Sequence, residues 1–543
     1  MSILRRHGTN VVSLGYVHAH KSTFHFIRTY CPLVQSLSLR FDNRSPRITY
    51  LNLQEFFLSM LHLKTLHIRF DASQFSPAMF WSLSQLPKLC RLSIDVFYGD
   101  PHNSRHYPPD AYMTILDCCP SLDDFTMYGQ FLEPIDPTEP HHKTSFVQWI
   151  RKKIQFQTEN APSTPHEAIV SPMHPRSLSR RSTISRLRRS SKAKNNHVKV
   201  PLNGEHKIKK LELRSPRMDD RVFSKLVSCC PLLEELTIDG LWARISASSW
   251  QTLSAQCPRL RCLTVRDSGV VHYLPSIPSL LTLFPQLESL TMMSLEFKAD
   301  PDLSTLGTKL RVIEQQTGDK HPLKLIHFSG SILRPIKLLL DILTQSSTVE
   351  SLSVGFTFNT LRVLQNEPDT PYDFNKEWLC YDSLQHLDLT SIWFKNRDAF
   401  KKFFIQVQRL TRLKSLWISV CQLREARSMG FIGCRKPSRP LDCSLSSANN
   451  NGGGGSSSNS NNNQIGSGGR HSRSVFSFSA VETIRIGTAC YQSKKISELP
   501  IVYDEVVDII EAAPMLKQLE LTHMSESGTV KRLSLEYAKI KIS

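Results

Sequence analysis

The sequence predicts an α/β solenoid, a curved stack of units in which each unit supplies one helix and one short parallel strand. Three observations carry that expectation. A comb of the form apolar-x-x-apolar-x-apolar recurs fifteen times along the 543 residues. A Cys-Pro pair, or a proline alone, stands just before many of the combs. A run with apolar residues at helical spacing precedes that corner.

The combs begin at Val11, Val34, Leu63, Leu89 and Leu122, and again at Ile208, Leu233, Leu260, Leu287, Leu323, Val349, Leu384 and Leu413. Two more begin at Val481 and Leu516. From Leu233 to Leu260 to Leu287 the step is 27 residues each time, and most other steps fall between 23 and 36. A period of that size marks a stacked array, in which each unit buries its apolar face against its neighbours. Within LEELTID, Leu236 and Ile238 alternate with Thr237 and Asp239, as a strand does when one face is buried and the other is wet.

The helices come next. In DDRVFSKLVSCCP the residues Val222, Leu226 and Cys230 lie four apart on one expected face, and Asp219 and Asp220 suit a helix N-terminus. RDAFKKFFIQVQRL and YDEVVDIIEAAPML repeat the pattern. Proline cannot continue a helix interior and restricts the residue before it, so Pro231 marks the corner from helix to strand. The corner recurs at Cys31-Pro32, Cys119-Pro120 and Cys257-Pro258, with Pro87, Pro285 and Pro514 where cysteine is absent. Cysteine is small and readily buried, which fits a helix end tucked into the stack.

Units that run Cys-Pro-x-Leu-x-x-Leu-x-Leu resemble the leucine-rich-repeat family, in the cysteine-containing type common in F-box proteins. The expected fold is therefore a leucine-rich-repeat solenoid. The Asn or Cys of that family just after the strand is matched cleanly only in LKSLWISVCQL, at Cys421. The opening LRRHGTNVVSLGYV is similar to the first repeat after the F-box in fungal F-box/leucine-rich-repeat proteins of ribonuclease-inhibitor-like type. EWLCYDSLQHLDL, with Trp378 and Cys380, resembles another of their units. The resemblance implies a substrate receptor whose repeats hold a target protein while an F-box docks on the adaptor of a cullin-type ubiquitin ligase. An F-box opens with a Leu-Pro pair, and no such module stands upstream of Val11. The repeat part of such a receptor is the first expectation, with adaptor and cullin as partners if an F-box exists upstream; a stand-alone scaffold or regulatory protein is the alternative.

Two stretches break the comb, and five segments follow: repeats in 1–132, a basic Ser/Arg/Pro-rich insertion in 133–205, repeats in 206–423, a Gly/Ser/Asn-rich insertion in 424–478 and repeats in 479–543. In SLSSANNNGGGGSSSNSNNNQIGSGG, 22 of 26 residues are Ser, Gly or Asn, so the second insertion has nothing to bury. Combs resume beyond each insertion, which makes both of them disordered loops from one solenoid. Within the first, SFVQWIRKKIQF puts Phe146, Trp149, Ile150 and Ile154 near one helical face, for docking on the solenoid or on a partner. RSLSRRSTISRLRRSSKAK is a tether, a nuclear import signal or a regulatory segment. Thr183 and Ser191 follow arginine pairs, as at sites of basophilic kinases, and phosphate there would offset the positive charge.

The net charge of +19 would suit nucleic acid or an anionic membrane if it covered the fold. Residues 171–199 alone hold nine Lys and Arg and no Asp or Glu, about half the excess. Nucleic acid and membrane are therefore not expected partners, the more so because the basic run has no aromatic residue to stack on bases. No C-x-x-C occurs among the 13 cysteines, so neither a zinc site nor a disulfide framework has its usual spacing. Reduced, mostly buried thiols and the lack of a sustained apolar leader point to the cytoplasm or nucleus.

Catalytic spacing is also missing. There is no G-x-x-x-x-G-K-[ST], no G-x-G-x-x-G after a strand and no G-x-S-x-G. His166-Glu167 begins like a zinc helix, but Val170 stands where its second histidine would be, and His141-His142 has no further ligand at metal spacing. No catalytic residue, cofactor or metal is expected, and function falls to surfaces. The concave strand face presents Asp95, Asp239, Arg266, His386, Asp388 and Trp417 to a target protein of unknown identity. Trp417 reads either as a binding anchor or as packing against an adjacent strand or an insertion.

Overall fold

An isolated comb could be any half-buried strand; stacked on copies of itself it has one arrangement that buries every tooth. The computed structural model describes residues 6–41, 48–71, 78–97, 111–128, 206–214, 220–239, 245–266, 276–296, 303–331, 335–356, 373–392, 394, 397–429, 478, 480–487, 503–521 and 527–543. All fifteen combs lie at strands, and the chain forms two units, Met1–Pro275 and Ser276–Ser543.

The first unit carries β1 (Ser13–His18), β2 (Ser36–Phe41), β3 (Thr65–Asp71), β4 (Arg91–Phe97), β5 (Asp124–Tyr128), β6 (Lys210–Arg214), β7 (Glu235–Asp239) and β8 (Cys262–Arg266). The second carries β9 (Ser289–Glu296), β10 (Leu325–Ser331), β11 (Ser351–Phe356), β12 (His386–Asp388), β13 (Ser415–Ser419), β14 (Thr483–Gly487), β15 (Gln518–Leu521) and β16 (Lys541–Ile542). Within each unit the strands stand in chain order, each parallel to the next. Helices connect most of them, and this is the leucine-rich-repeat arrangement in both units.

Register turns the teeth into buried rows. In the first unit Leu37, Leu66, Leu92, Phe125, Leu211, Leu236 and Leu263 align, and all are buried. Leu290, Ile326, Leu352, Leu387, Leu416, Ile484 and Leu519 do the same in the second. Strand β1 departs from the expected comb. A register shift between Leu14 and Val17 leaves Tyr16 82% exposed, at φ 55°, and Val17 takes the inner place that the comb gives to Tyr16. An edge strand with a bulge is a poorer template for stray pairing than a flat one.

A backbone device joins the repeats. The carbonyl of the residue just before a strand accepts two N–H groups from the next repeat: Lys209 from Glu234 and Glu235, Glu234 from Arg261 and Cys262, Lys324 from Glu350 and Ser351, Lys414 from Glu482 and Thr483. Because the main chain makes these bonds, the side chains there are free to vary.

Among the described residues the helices of the first unit are α1 (Lys21–Tyr30), α2 (Tyr50–Leu58), α3 (Ala78–Leu83), α4 (Ala111–Cys118), α5 (Asp220–Ser228) and α6 (Ala247–Gln256). Those of the second are α7 (Ile277–Leu283), α8 (Leu306–Thr317), α9 (Pro335–Gln345), α10 (Arg397–Gln408), α11 (Val420–Ser428), α12 (Tyr503–Ala512) and α13 (Ser527–Glu536). Helix α5 buries Leu226, with Cys230 at the corner beyond it, as expected; Phe223 and Val227 join them, and Val222 of the expected stripe is half-exposed. Asp220 opens α5, and its Oδ1 accepts from Ser246 N and Ser249 Oγ, both at 2.6 Å, bracing the start of α6 instead of its own helix. Asp341 of α9 does the same for α8, accepting from Thr308 N at 3.0 Å and Thr308 Oγ1 at 2.6 Å.

The corner explains the recurring Cys-Pro. Its carbonyl accepts the N–H of the comb's first tooth three residues on: Cys119 from Leu122, Cys230 from Leu233, Cys257 from Leu260. Leu86, Phe284 and Ala513 take the place before Pro87, Pro285 and Pro514, and all are buried, so the position needs a buried apolar group and not a thiol as such. Burial pushes the thiols of Cys119 and Cys230 well up and those of Cys118, Cys257 and Cys380 to about 12.

Both long interruptions bridge neighbours. β5 pairs β6 over five residues across 129–205, and β13 pairs β14 over five residues across 430–477. Chain re-entry after the first is fixed by buried His206, whose N–H donates to Cys229 O and whose ring Nε2 is 3.7 Å from Asp117. Helix α11 runs on past position 424, where the second insertion was expected to begin. On either side of that interruption Arg424 pairs with Glu505 at 2.8 Å and Arg427 with Asp508 at 2.6 Å, joining α11 to α12. Burial pushes the Asp508 carboxyl up, and Arg427 opposes that. No helix among the described residues is long and apolar enough to cross a membrane.

Candidate protein-binding surface

Side chains between the buried teeth project from the outer strand face, in rows set by the same register. In the first unit one row runs Arg40, Arg69, Asp95, Tyr128, Arg214, Asp239, Arg266 from β2 to β8. In the second another runs Thr291, His327, Ser353, Asp388, Trp417, Arg485, Glu520 from β9 to β15. Strands about 4.8 Å apart hold such rows at fixed spacing.

The expected site residues divide among these rows. Asp239 and Arg266 are direct neighbours, and Asp95 shares their row three strands from Asp239. Arg69 lies 3.4 Å from Asp95, while the other carboxylate oxygen of Asp95 is buried without a donor among the described residues. Asp388 and Trp417 are neighbours in the second unit. His386 is not in their row; it stands at the strand start, opposite Ser351 and Ser415. Burial lowers its pKa, nearby Lys414 lowers it further, and Glu350 opposes both. Thr183, Ser191 and the SFVQWIRKKIQF segment lie outside the described residues.

Two assignments change in character. Asp388 accepts from Thr390 N at 2.9 Å, Thr390 Oγ1 at 2.6 Å and Ser353 Oγ at 2.8 Å, so its carboxylate is engaged in shaping the turn after β12. Trp417 is half-buried, and the guanidinium of Arg485 on the adjacent strand lies over its ring, 4.8 Å from the centroid. Both readings of Trp417 thus meet in one contact, since it packs against its neighbour and still presents surface.

The sequence reading overlooked Arg485, Glu520 and the Glu212–Arg214 pair. Arg214 binds Glu212 through Nε at 2.7 Å, Thr126 donates to the other oxygen of Glu212 at 3.3 Å, and Arg214 lies 6.0 Å from the Tyr128 ring centre. The signal was present: Arg485 holds the same place in VETIRI as Trp417 in LKSLWI. The buried polar residue after β13 is likewise Gln422, not the half-exposed Cys421. Its Nε2 donates to Leu389 O at 2.8 Å and Ile392 O at 2.7 Å of the preceding repeat.

On the helix side of the first unit, α1 and α2 flank a cleft of about 200 Å³, floored by the stacked rings of Phe24 and Phe56 and spanned by the Arg28–Glu55 ion pair. Among the described residues no group of three His, Cys, Asp or Glu side chains could hold a metal ion.

No family model and no curated protein matches the chain. Among solved structures it is similar to a chain of the yeast Rad7 and Elc1 complex, at 11% identity over 77% of this chain and 82% of that chain, with a TM-score of 0.33. It is also similar to a chain of the TLR13–ssRNA13 complex, at 11% identity over 76% of this chain and 48% of that one, with a TM-score of 0.31.

Proposed function

We propose that this chain is a non-catalytic recognition module of the cytoplasm or nucleus that binds a protein through the outer strand face of its repeats. The observation that carries the reading is the outer row that each unit presents. In each unit charged, hydroxyl and aromatic side chains stand in register on parallel strands whose own hydrogen bonds they do not serve, the kind of extended surface that repeat arrays use for binding. Trp417, held by Arg485, is the anchor: a large ring whose freedom is already restricted contributes contact area at little further entropy cost.

At a finer level the reading is the target-binding part of an F-box receptor of a cullin-type ubiquitin ligase, supported by the corner and comb motifs quoted above. Affinity purification from the native cells followed by mass spectrometry tests both levels. Recovery of a cullin and its adaptor, with a co-purified protein whose half-life lengthens when this chain is depleted, supports the receptor. A stable partner without cullin or adaptor leaves a stand-alone scaffold. Retention of every partner when Trp417→Ala is combined with Asp239→Ala and Arg266→Ala would sink the strand face as the binding surface.

A further inference from the structure

We infer that Trp417 and Arg485 form a two-part receptor for one carboxylate side chain set beside an apolar residue of the partner, a reading that rests on the strand face being the binding surface. The geometry of Arg485 comes first. Its planar guanidinium lies over the Trp417 ring at 4.8 Å, and its Nε is 3.7 Å from Glu520 Oε2, beyond hydrogen-bond reach. Glu520 is in turn fixed by Gln518 Nε2 at 2.7 Å. The arginine is thus positioned on one side by a ring and on the other by an anchored charge. Among the described residues it has no hydrogen-bond acceptor, and its side chain is 38% exposed. A guanidinium carries five N–H donors in a fork that matches a carboxylate, so a site that orients the fork without filling it is prepared for one.

The neighbours limit what the ligand is. Asp388, on the other side of Trp417, is saturated by Thr390 and Ser353, and Glu482 is held by Lys517 at 3.0 Å. Asp388, Glu482 and Glu520 stand among the cations on these strands, with Glu482 paired to Lys517 and Glu520 beside Arg485, so the cations form no continuous basic stripe. A polyanion would gain little from such a surface, whereas a single carboxylate finds a complete geometric partner. The exposed part of the Trp417 ring next to the fork then suits an apolar side chain adjacent to that carboxylate.

Photo-crosslinking in native cells from exposed strand-start positions of the full chain, with p-benzoylphenylalanine at position 414 beside the pair or at position 235 in the first unit, identifies the partner peptide while Trp417 and Arg485 stay in place. A synthetic copy of that peptide is then titrated against the wild-type, Arg485→Gln and Arg485→Lys chains. Wild type is expected to bind it at least about tenfold more tightly than Arg485→Gln. Replacing the peptide's Asp or Glu by its amide is expected to cost a similar factor on wild type and little on Arg485→Gln, the signature of a coupled pair. Arg485→Lys keeps the charge but not the fork and is expected to stay weak. A crosslinked peptide that binds Arg485→Gln unchanged, or that tolerates loss of its carboxylate, overturns the inference and leaves the strand-face reading intact. Partners that crosslink from position 235 and never from 414 do the same, and absence of any partner at both positions sinks both readings.

Discussion

Gly307 shows how little room the helix layer leaves. A Cβ at that position would come within 2.3 Å of the Asp341 carbonyl oxygen on α9, a backbone atom that cannot step aside. Gly307→Ala is therefore expected to destabilise the second unit by about 2–3 kcal/mol, at the upper end of overpacking costs, read as a fall in the urea midpoint. Gln422 carries the opposite lesson, because its buried amide serves two carbonyls of the preceding repeat. Gln422→Leu keeps the bulk and removes the donors, which is expected to cost about 1–3 kcal/mol in the same measurement. Cys421→Ser beside it is expected to leave the midpoint unchanged within about 0.5 kcal/mol. A reading by family pattern selects the cysteine; only the fold shows which side chain turns inward.

Between elements, carboxylates brace helix starts. For Asp220 burial raises the carboxyl pKa, but the hydrogen bonds from Ser249 and Ser246 outweigh it and hold the group below its ordinary value. A carboxyl whose folded pKa is depressed contributes stability that is present above the unfolded-state pKa and is lost as pH falls through the folded one. Asp220→Ala is thus expected to lower stability by about 1 kcal/mol at pH 7, a typical cap loss, and the gap from wild type should close as pH falls below the carboxyl range. Urea titrations of both chains at neutral and acid pH check this. Chain position alone predicted that Asp220 serves its own helix. The service to α6 was illegible because it depends on which turn of the next repeat lies alongside. The buried face of α5 has the same origin: Phe223 and Val227 join the expected Leu226 and Cys230 against the stack, and Val222 does not.

For the whole molecule, strand existence was legible almost completely, since burial of the comb teeth is local and repeated. Strand β16 was not legible, because Lys541–Ile542 offers one half-buried tooth. The candidate surface was legible only in part. Its six residues came from three different places in the comb, and strand register divides them into separate rows, with the Trp417–Arg485 contact falling between residues 68 apart in the chain. Both interruptions sit between in-register neighbours, which makes their length separable from the fold. Replacing residues 430–477 by a Gly/Ser linker of about a quarter that length is expected to preserve the circular dichroism spectrum and to add about 1 kcal/mol in the urea midpoint, from two halvings of loop length. Loss of the folded signal would mean that those residues contribute packing of their own.

The same two junctions bear on the order of assembly. Most neighbouring strands are separated by one helix and meet at low contact order, whereas β5 must find β6, and β13 must find β14, only after a long chain closure whose entropy precedes any reward. Pairing is expected to propagate first within the runs on each side of an interruption, β1–β5 and β6–β8 in the first unit and β9–β13 and β14–β16 in the second, and to cross those two seams last. Pulse-labelled hydrogen exchange would then find the amides of Glu482 and Thr483, which share the Lys414 carbonyl, acquiring protection together and late.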